Sequence, residues 1–300
     1  MAADPDDDVV LPSRFDLSAG DLTASVLAHG AELCSLRKGG VPYLYEGDAK
    51  EFWPKSAPIL FPAVGRSAKD VWCIEGKNFP MPRHGFAREL LWDADCGSDD
   101  FVALSLVDSP ATLKHYPFSF SLTAEYRLSP TALTCTYRLT NEDERSVPFS
   151  FGLHPAFRWP LEPGLPRTAA RVRFPRKIRA ERVLLEDGLR SKTREVVIKN
   201  SDVLPLTDGM FNRDALVLRN PEVEELILEA EGSDRRVRLT FTPCTWLGIW
   251  SKPGAPFVCL EPWRGVASKA GDTTDVESKD AIEWLEPGAV FEYVMTIEPS

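Results

Sequence analysis

The chain has 300 residues, 43% of them hydrophobic and 27% charged, with a formal net charge of -10. That length and composition suffice for a large buried core in one domain or two. The acidic balance excludes sequence-independent nucleic-acid binding, which needs a basic face to displace counterions, and no stretch is apolar for long enough to span a bilayer by hydropathy, so neither nucleic acid nor membrane is an expected partner.

Taken in chain order, residues 1–12 carry four aspartates and no basic residue. They lack the basic start and apolar run of a signal peptide, which predicts a cytoplasmic protein. The segment reads as a flexible acidic lead-in to one domain over residues 13–300. His29, before Gly30, sits at a strand–turn boundary. The apolar run Pro58-Ile59-Leu60-Phe61-Pro62 reads as a strand, after which come Gly65 and Arg66. Pro110 to His115 is a candidate short helix, and His115 precedes Tyr116-Pro117. Both His29 and His115 are read as structural.

The dominant period is two. In Phe118 to Leu128, apolar Phe118, Phe120, Leu122, Ala124, Tyr126 and Leu128 alternate with polar residues. That alternation is a strand with one buried face. Residues 132–140 repeat it, and Ser129-Pro130-Thr131 between them predicts a hairpin. The basic positions scattered from Arg167 to Arg182 read as the solvated face of a strand. Val237, Leu239 and Phe241 form a further alternating strand, as do Phe291, Tyr293, Met295 and Ile297. A second turn-like or helical stretch is Ala267 to Ala270. With 25 prolines as punctuation, scarce helical periodicity and no internal repeat, the pattern predicts an all-β sandwich or barrel of many short strands. The six cysteines form no CxxC pair and no zinc-ligand spacing, which is the pattern of reduced, partly buried thiols and no metal.

Three separated stretches hold side chains suited to proton transfer: Arg83-His84-Gly85-Phe86-Ala87-Arg88, Gly152-Leu153-His154-Pro155-Ala156-Phe157 and Cys259-Leu260-Glu261-Pro262-Trp263. Glu261 ends an apolar run, where an unpaired carboxylate is costly unless it is used. Pro155 restricts His154 to an extended backbone, and Gly152 permits a close approach. Histidine is the natural proton donor near neutral pH. His84 and Arg88 could polarise or bind a ligand oxygen, and Arg66 could do so through its planar fork. Read in isolation, each histidine or carboxylate serves core packing as readily as chemistry, and Arg66 reads equally as a surface arginine.

These stretches, in this order and at these separations, resemble the aldose 1-epimerase (galactose mutarotase-like) family, in its shorter bacterial LacX-like branch. Tyr116-Pro117-Phe118, Phe211-Asn212-Arg213-Asp214-Ala215-Leu216 and Leu247-Gly248-Ile249-Trp250 add to the resemblance, which runs from about residue 15 to 297. It implies a large antiparallel β-sandwich (the galactose mutarotase-like supersandwich) with few short helices, an open sugar cleft, and no metal or organic cofactor. It implies that Glu261 is the general base, His154 the general acid and His84 the second active-site histidine. Arg66 and Asp214 would bind substrate, with Asp208 as the alternative to Asp214. Arg88 is a further substrate-binding candidate, and Trp250 or Trp263 would offer an apolar face to the sugar ring. The expected activity is interconversion of the anomers of an aldohexose. The alternatives are a hexose 6-phosphate, with Arg66, Arg83 and Arg88 around its phosphate, and a carbohydrate-binding or sensor protein without turnover. Oligomeric state is left open.

Overall fold

The computed structural model describes residues 13–48 and 50–300; the acidic segment 1–12 lies outside the described residues. The architecture is all-β and antiparallel. A sheet of 15 strands forms the body of the molecule, and a four-stranded sheet near the start of the described chain (Arg14–Ala19, Leu22–Leu27, Leu33–Lys38, Val41–Pro42) packs with it into one hydrophobic core.

The period-two segments become strands for the reason they alternate. Phe120–Leu128 and Leu133–Asn141 bury every second residue, and they pair in one unbroken register from Phe120–Asn141 to Leu128–Leu133. A slip by one residue would turn Leu122, Ala124 and Tyr126 to solvent, so burial of one face sets the register. The first strand starts at Phe120 rather than Phe118. Pro117 has no N–H to give a ladder, and the Phe118 N–H closes a local turn onto the Tyr116 carbonyl, 2.9 Å away. Arg236–Phe241 and Val290–Pro299 likewise match their predicted strands.

The short helix expected over 110–115 is a single 3-10 turn, Thr112–Lys114. Ala267 to Ala270 is not helical; Lys269 makes an isolated bridge to Arg190. The basic stretch opens with a 3-10 turn and continues as Ala170–Glu186, which pairs with Leu189–Pro205 to make a long hairpin. Most of its arginines do face outward. Arg182 is the exception: it is buried, and Glu195 meets its guanidinium at 2.8 Å. The hairpin closes through Asp187-Gly188, both with positive φ (50° and 74°), the two-residue turn that suits twisted strands.

What positions the functional residues is one end of the large sheet. There the order is Ile59–Leu60, Phe151–Leu153, Phe257–Arg264, Trp246–Trp250, Leu216–Arg219, Ala170–Glu186, with Ala156–Arg158 also paired to Phe257–Arg264. Segments some two hundred residues apart in the chain thus become neighbours across a few strands. No helix among the described residues is long and apolar enough to cross a membrane. All six cysteines are unpaired.

Candidate active site

Glu261 lies within the strand Phe257–Arg264, not at its end, and every residue from Phe257 to Trp263 is buried. Pro262 is tolerated there because of parity. The Leu260 N–H donates to the Pro155 carbonyl at 3.1 Å, so an N–H at 262 would point to the same side. On that side the ladder is interrupted between Phe151–Leu153 and Ala156–Arg158, and proline removes a donor that has no ladder partner. His154 and Pro155 are the interruption itself. The break in pairing turns the His154 imidazole toward Glu261.

Trp263 shares the face of Glu261, two residues on. Gly152 opposes Trp263 on one side; on the other Trp246 opposes it, and Gly248, opposite Glu261, lies diagonally across. A Cβ built on Gly152 would come 2.7 Å from the indole Cδ1, and one on Gly248 would come 2.6 Å from Cζ2. The indole therefore lies flat across both strands, which is the physical need for these two glycines. Gly248→Ala is expected to lower stability by about 1–3 kcal/mol through overpacking, and to displace Glu261, whose Cβ would lie 3.1 Å from the new methyl. Urea unfolding of the variant, alongside its turnover, checks both effects.

His84 and Gly85 both adopt left-handed backbone, φ 68° and 71°. For histidine this is a strained conformation, costing on the order of 1 kcal/mol. The strain is held by a reciprocal clasp: the His84 N–H donates to the Gly65 carbonyl at 2.9 Å, and the Gly65 N–H donates to His84 Nδ1 at 3.2 Å. A Cβ on Gly85 would be 2.0 Å from the Phe61 carbonyl oxygen, so only glycine fits after His84. Burial, His154, Arg88 and Arg83 hold His84 well below the usual imidazole range, so the ring is neutral at pH 7. Because Nδ1 accepts from Gly65, the ring proton sits on Nε2.

One cleft of about 340 Å³ collects these side chains, a size suited to a single small ligand. Glu261, His154, His84, Arg66, Arg88, Asp214, Trp250 and Trp263 all line it. Neither His29 nor His115 does, and His115 instead binds the Pro80 carbonyl at 2.7 Å. Asp214, at φ 69°, belongs to the wall, whereas Asp208 is occupied 2.6 Å from Arg167 Nε.

His154 Nε2 is 2.9 Å from Glu261 Oε2, with Glu261 1% exposed. The approach is close but not aligned as a hydrogen bond: Glu261 Oε2 and His154 Nδ1 both lack a hydrogen-bonding partner in the protein. An unsatisfied carboxylate oxygen this deep is costly. The His84 ring stands edge-on to His154 with centroids 5.8 Å apart.

The arginines differ in their freedom. Arg66 is held by Asp70 (Nη2–Oδ2 2.7 Å) and by Asp187 from the hairpin turn. The turn is thereby fastened over the cleft, with Gly188 against the Arg83 guanidinium. Arg88 donates through Nη2 to the Arg83 carbonyl at 3.1 Å, while its buried Nε lacks an acceptor in hydrogen-bonding geometry.

Two residues escape a reading of the sequence. Trp53 tilts over His154 at 4.9 Å and meets Trp250 edge-on at 5.6 Å, forming an aromatic wall. Its signal was Phe52-Trp53-Pro54, the same aromatic–proline setting that marks the other stretches. Lys279 has no such signal. It is buried and donates to the carbonyl of the cleft-lining Val266, while Arg190 Nε donates to the carbonyl of cleft-lining Ala267 at 2.7 Å.

Burial, reinforced by Arg190 and opposed by Asp280 and Asp272, brings the Lys279 amine down to about 7. An unfolded lysine titrates near 10.4. Between those values the unfolded chain binds the extra proton, so this lysine makes the fold more stable as pH rises from 7 toward 10, and its penalty is complete below 7. The neutral amine still donates to Val266. From pH 7 to 9.5, wild type should gain up to about 3 kcal/mol from this group that Lys279→Met does not. Urea unfolding of both proteins at the two pH values measures the difference.

His154, Cys259 and Glu261 also form a possible metal-ligand group, their donor atoms lying within 4.8 Å of one another. Burial and the neighbouring Glu261 push the Cys259 thiol well above its ordinary value, so it is a neutral thiol as the site stands.

Comparison with known proteins bears on the family and the fold. The family model described as aldose 1-epimerase matches residues 13–295. The LacX protein of Lactococcus lactis subsp. lactis is 28% identical over 278 residues, covering 89% of this chain and 92% of LacX. A galactose mutarotase-like protein from Lactobacillus casei ATCC 334 superposes with a TM-score of 0.89 at 30% identity, over 96% of this chain and all (100%) of the other. A galactose mutarotase related enzyme from Lactobacillus acidophilus gives a TM-score of 0.89 at 25% identity, covering 96% and 97% of the two chains. With a family match over nearly the whole described chain, the protein belongs to the aldose 1-epimerase family.

Proposed function

We propose that this protein is an aldose 1-epimerase that interconverts the α and β anomers of a neutral aldohexose, with Glu261 as general base and His154 as general acid. The observation that carries the reading is the His154–Glu261 pair, 2.9 Å apart at the floor of a sugar-sized cleft. An aldopyranose is a hemiacetal. To change anomer, its C1 hydroxyl must lose a proton while its ring oxygen gains one. Both oxygens are bonded to C1, so acid and base must stand side by side and be two distinct groups.

Glu261 takes the hydroxyl proton and His154 supplies one to the ring oxygen. The C1–ring oxygen bond breaks, and the free aldehyde turns about C1–C2. Ring closure on the other carbonyl face then proceeds with the two groups in reversed roles. His84, neutral with its proton on Nε2, donates to a sugar oxygen and stabilises charge developing there. Arg66 and Asp214, which both line the cleft, bind sugar hydroxyls. Trp53, Trp250 and Trp263 offer apolar surface to the C–H faces of the ring.

A second reading, a hexose 6-phosphate, is favoured by Arg88 and Arg83 at the cleft wall, although Arg88 Nε already lies 3.2 Å from Glu89 Oε1, out of hydrogen-bonding geometry. Arg66 argues for the neutral sugar, because Asp70 and Asp187 already neutralise it. A sugar-binding protein without turnover needs no acid/base pair. Polarimetry or NMR on freshly dissolved α-glucose, α-galactose and α-glucose 6-phosphate decides between them. The epimerase reading fails if all three equilibrate at the spontaneous rate in the presence of the protein.

A further inference from the structure

The geometry points to an inhibitory binding site for a thiophilic divalent cation, zinc above all, formed by His154 and Glu261, which line the cleft, and Cys259, which is buried beside them. Phe257, Cys259, Glu261 and Trp263 alternate onto one face of their strand, so the Cys259 sulfur stands one pleat from the carboxylate. His154 enters from the adjoining break in the sheet. One imidazole nitrogen, the sulfur and one carboxylate oxygen lie within 4.8 Å of one another, and all three residues are buried.

A tetrahedral zinc ion with bonds of about 2.0–2.3 Å needs its ligand atoms roughly 3.2–3.8 Å apart. The carboxylate and imidazole, 2.9 Å apart, need to open by only a few tenths of an ångström. The sulfur needs only a side-chain adjustment of about 1 Å to reach ligand separation. Glu261 Oε2, 2.9 Å from His154 Nε2, has no hydrogen-bonding partner in the protein, so a buried lone-pair donor stands ready for a ligand. The mixed S, N, O set selects zinc or cobalt and disfavours magnesium and calcium, which take oxygen ligands. His154 and Glu261 line the cleft, so a fourth ligand, water or a sugar oxygen, would come from there.

Binding exchanges protons for the metal: the Cys259 S–H bond breaks as an S–Zn bond forms, the ligating His154 nitrogen gives up any proton it carries, and these protons leave to solvent. Affinity therefore rises with pH. The bound ion occupies the lone pairs that the acid/base pair needs, so it inhibits, and sugar competes with it. The inhibition rests on the epimerase reading; metal binding does not.

The test uses the full chain. Cobalt(II) is titrated into metal-free protein and the near-ultraviolet thiolate-to-metal charge-transfer band is followed. Zinc is then titrated into the mutarotation assay, with a chelator to reverse its effect. Expected are a thiolate band in wild type, its loss in Cys259→Ser, and reversible inhibition by micromolar zinc. Cys259→Ser should turn over sugar as wild type does while needing at least about 10-fold more zinc for half-inhibition. No thiolate band in wild type overturns the site, as does equal zinc sensitivity of the two proteins or activation by zinc. A thiolate band in a protein without mutarotase activity upholds the metal site and counts only against the epimerase reading.

Discussion

Glu261→Gln is expected to abolish nearly all turnover, lowering kcat by about 10²–10⁴-fold, the range that one positioned proton transfer supplies. The substitution keeps the volume and planarity of the side chain, so the packing around a residue only 1% exposed is preserved. What it removes is the basic lone pair that must accept the C1 hydroxyl proton. Folding should not suffer: the carboxylate oxygen near His154 has no hydrogen-bonding partner to lose, and a neutral amide is cheaper to bury than a charge. Mutarotation followed by polarimetry, with the unfolding midpoint as a control, tests this. Full turnover by a folded Glu261→Gln protein would end the case for Glu261 as base.

His154→Ala should remove most of the activity, roughly 10²-fold or more, because no other proton donor stands so close to Glu261. His84 cannot replace it. Its ring is held neutral, and its Nδ1 is taken by the Gly65 N–H. Loss of the imidazole also leaves a gap between Trp53 and Trp250, whose rings lie 4.9 and 5.8 Å from it. Stability should therefore fall by about 1–3 kcal/mol. The gap has the size and shape of imidazole, so added imidazole should restore part of the turnover to His154→Ala and none to Glu261→Gln. Turnover at the wild-type rate by the alanine variant would refute the acid role.

Much of the scaffold was legible because strand burial writes a period of two directly into the chain. Phe120–Leu128, Leu133–Asn141 and Arg236–Phe241 were readable on that ground alone. Strands buried on both faces were harder. Phe257–Arg264 has no alternation, and Pro262 made Glu261 look like a strand end; only the interrupted ladder opposite explains why pairing continues through it. Asp187-Gly188 is an ordinary two-residue hairpin signal. That its turn would be fastened to Arg66 over a cleft has no local signature, because Arg66 and Asp187 are 121 residues apart.

The candidate residues themselves were marked by odd local chemistry: histidine before glycine or proline, and a carboxylate within an apolar run. Taken alone, those marks do not separate catalysis from core packing. What the amino-acid sequence by itself determined is the antiparallel β class, the family, and a short list of side chains able to move protons. The tertiary structure decided that they meet: it set His154 against Glu261, laid Trp263 across Gly152 and Gly248, left Asp214 in the cleft and Asp208 outside it, and brought in Trp53 and Lys279. The reason is physical. Periodicity and turn chemistry act over a few neighbouring residues, whereas the contacts that make a site are fixed by which strands pair, and that follows from burying the whole apolar surface of the chain at once.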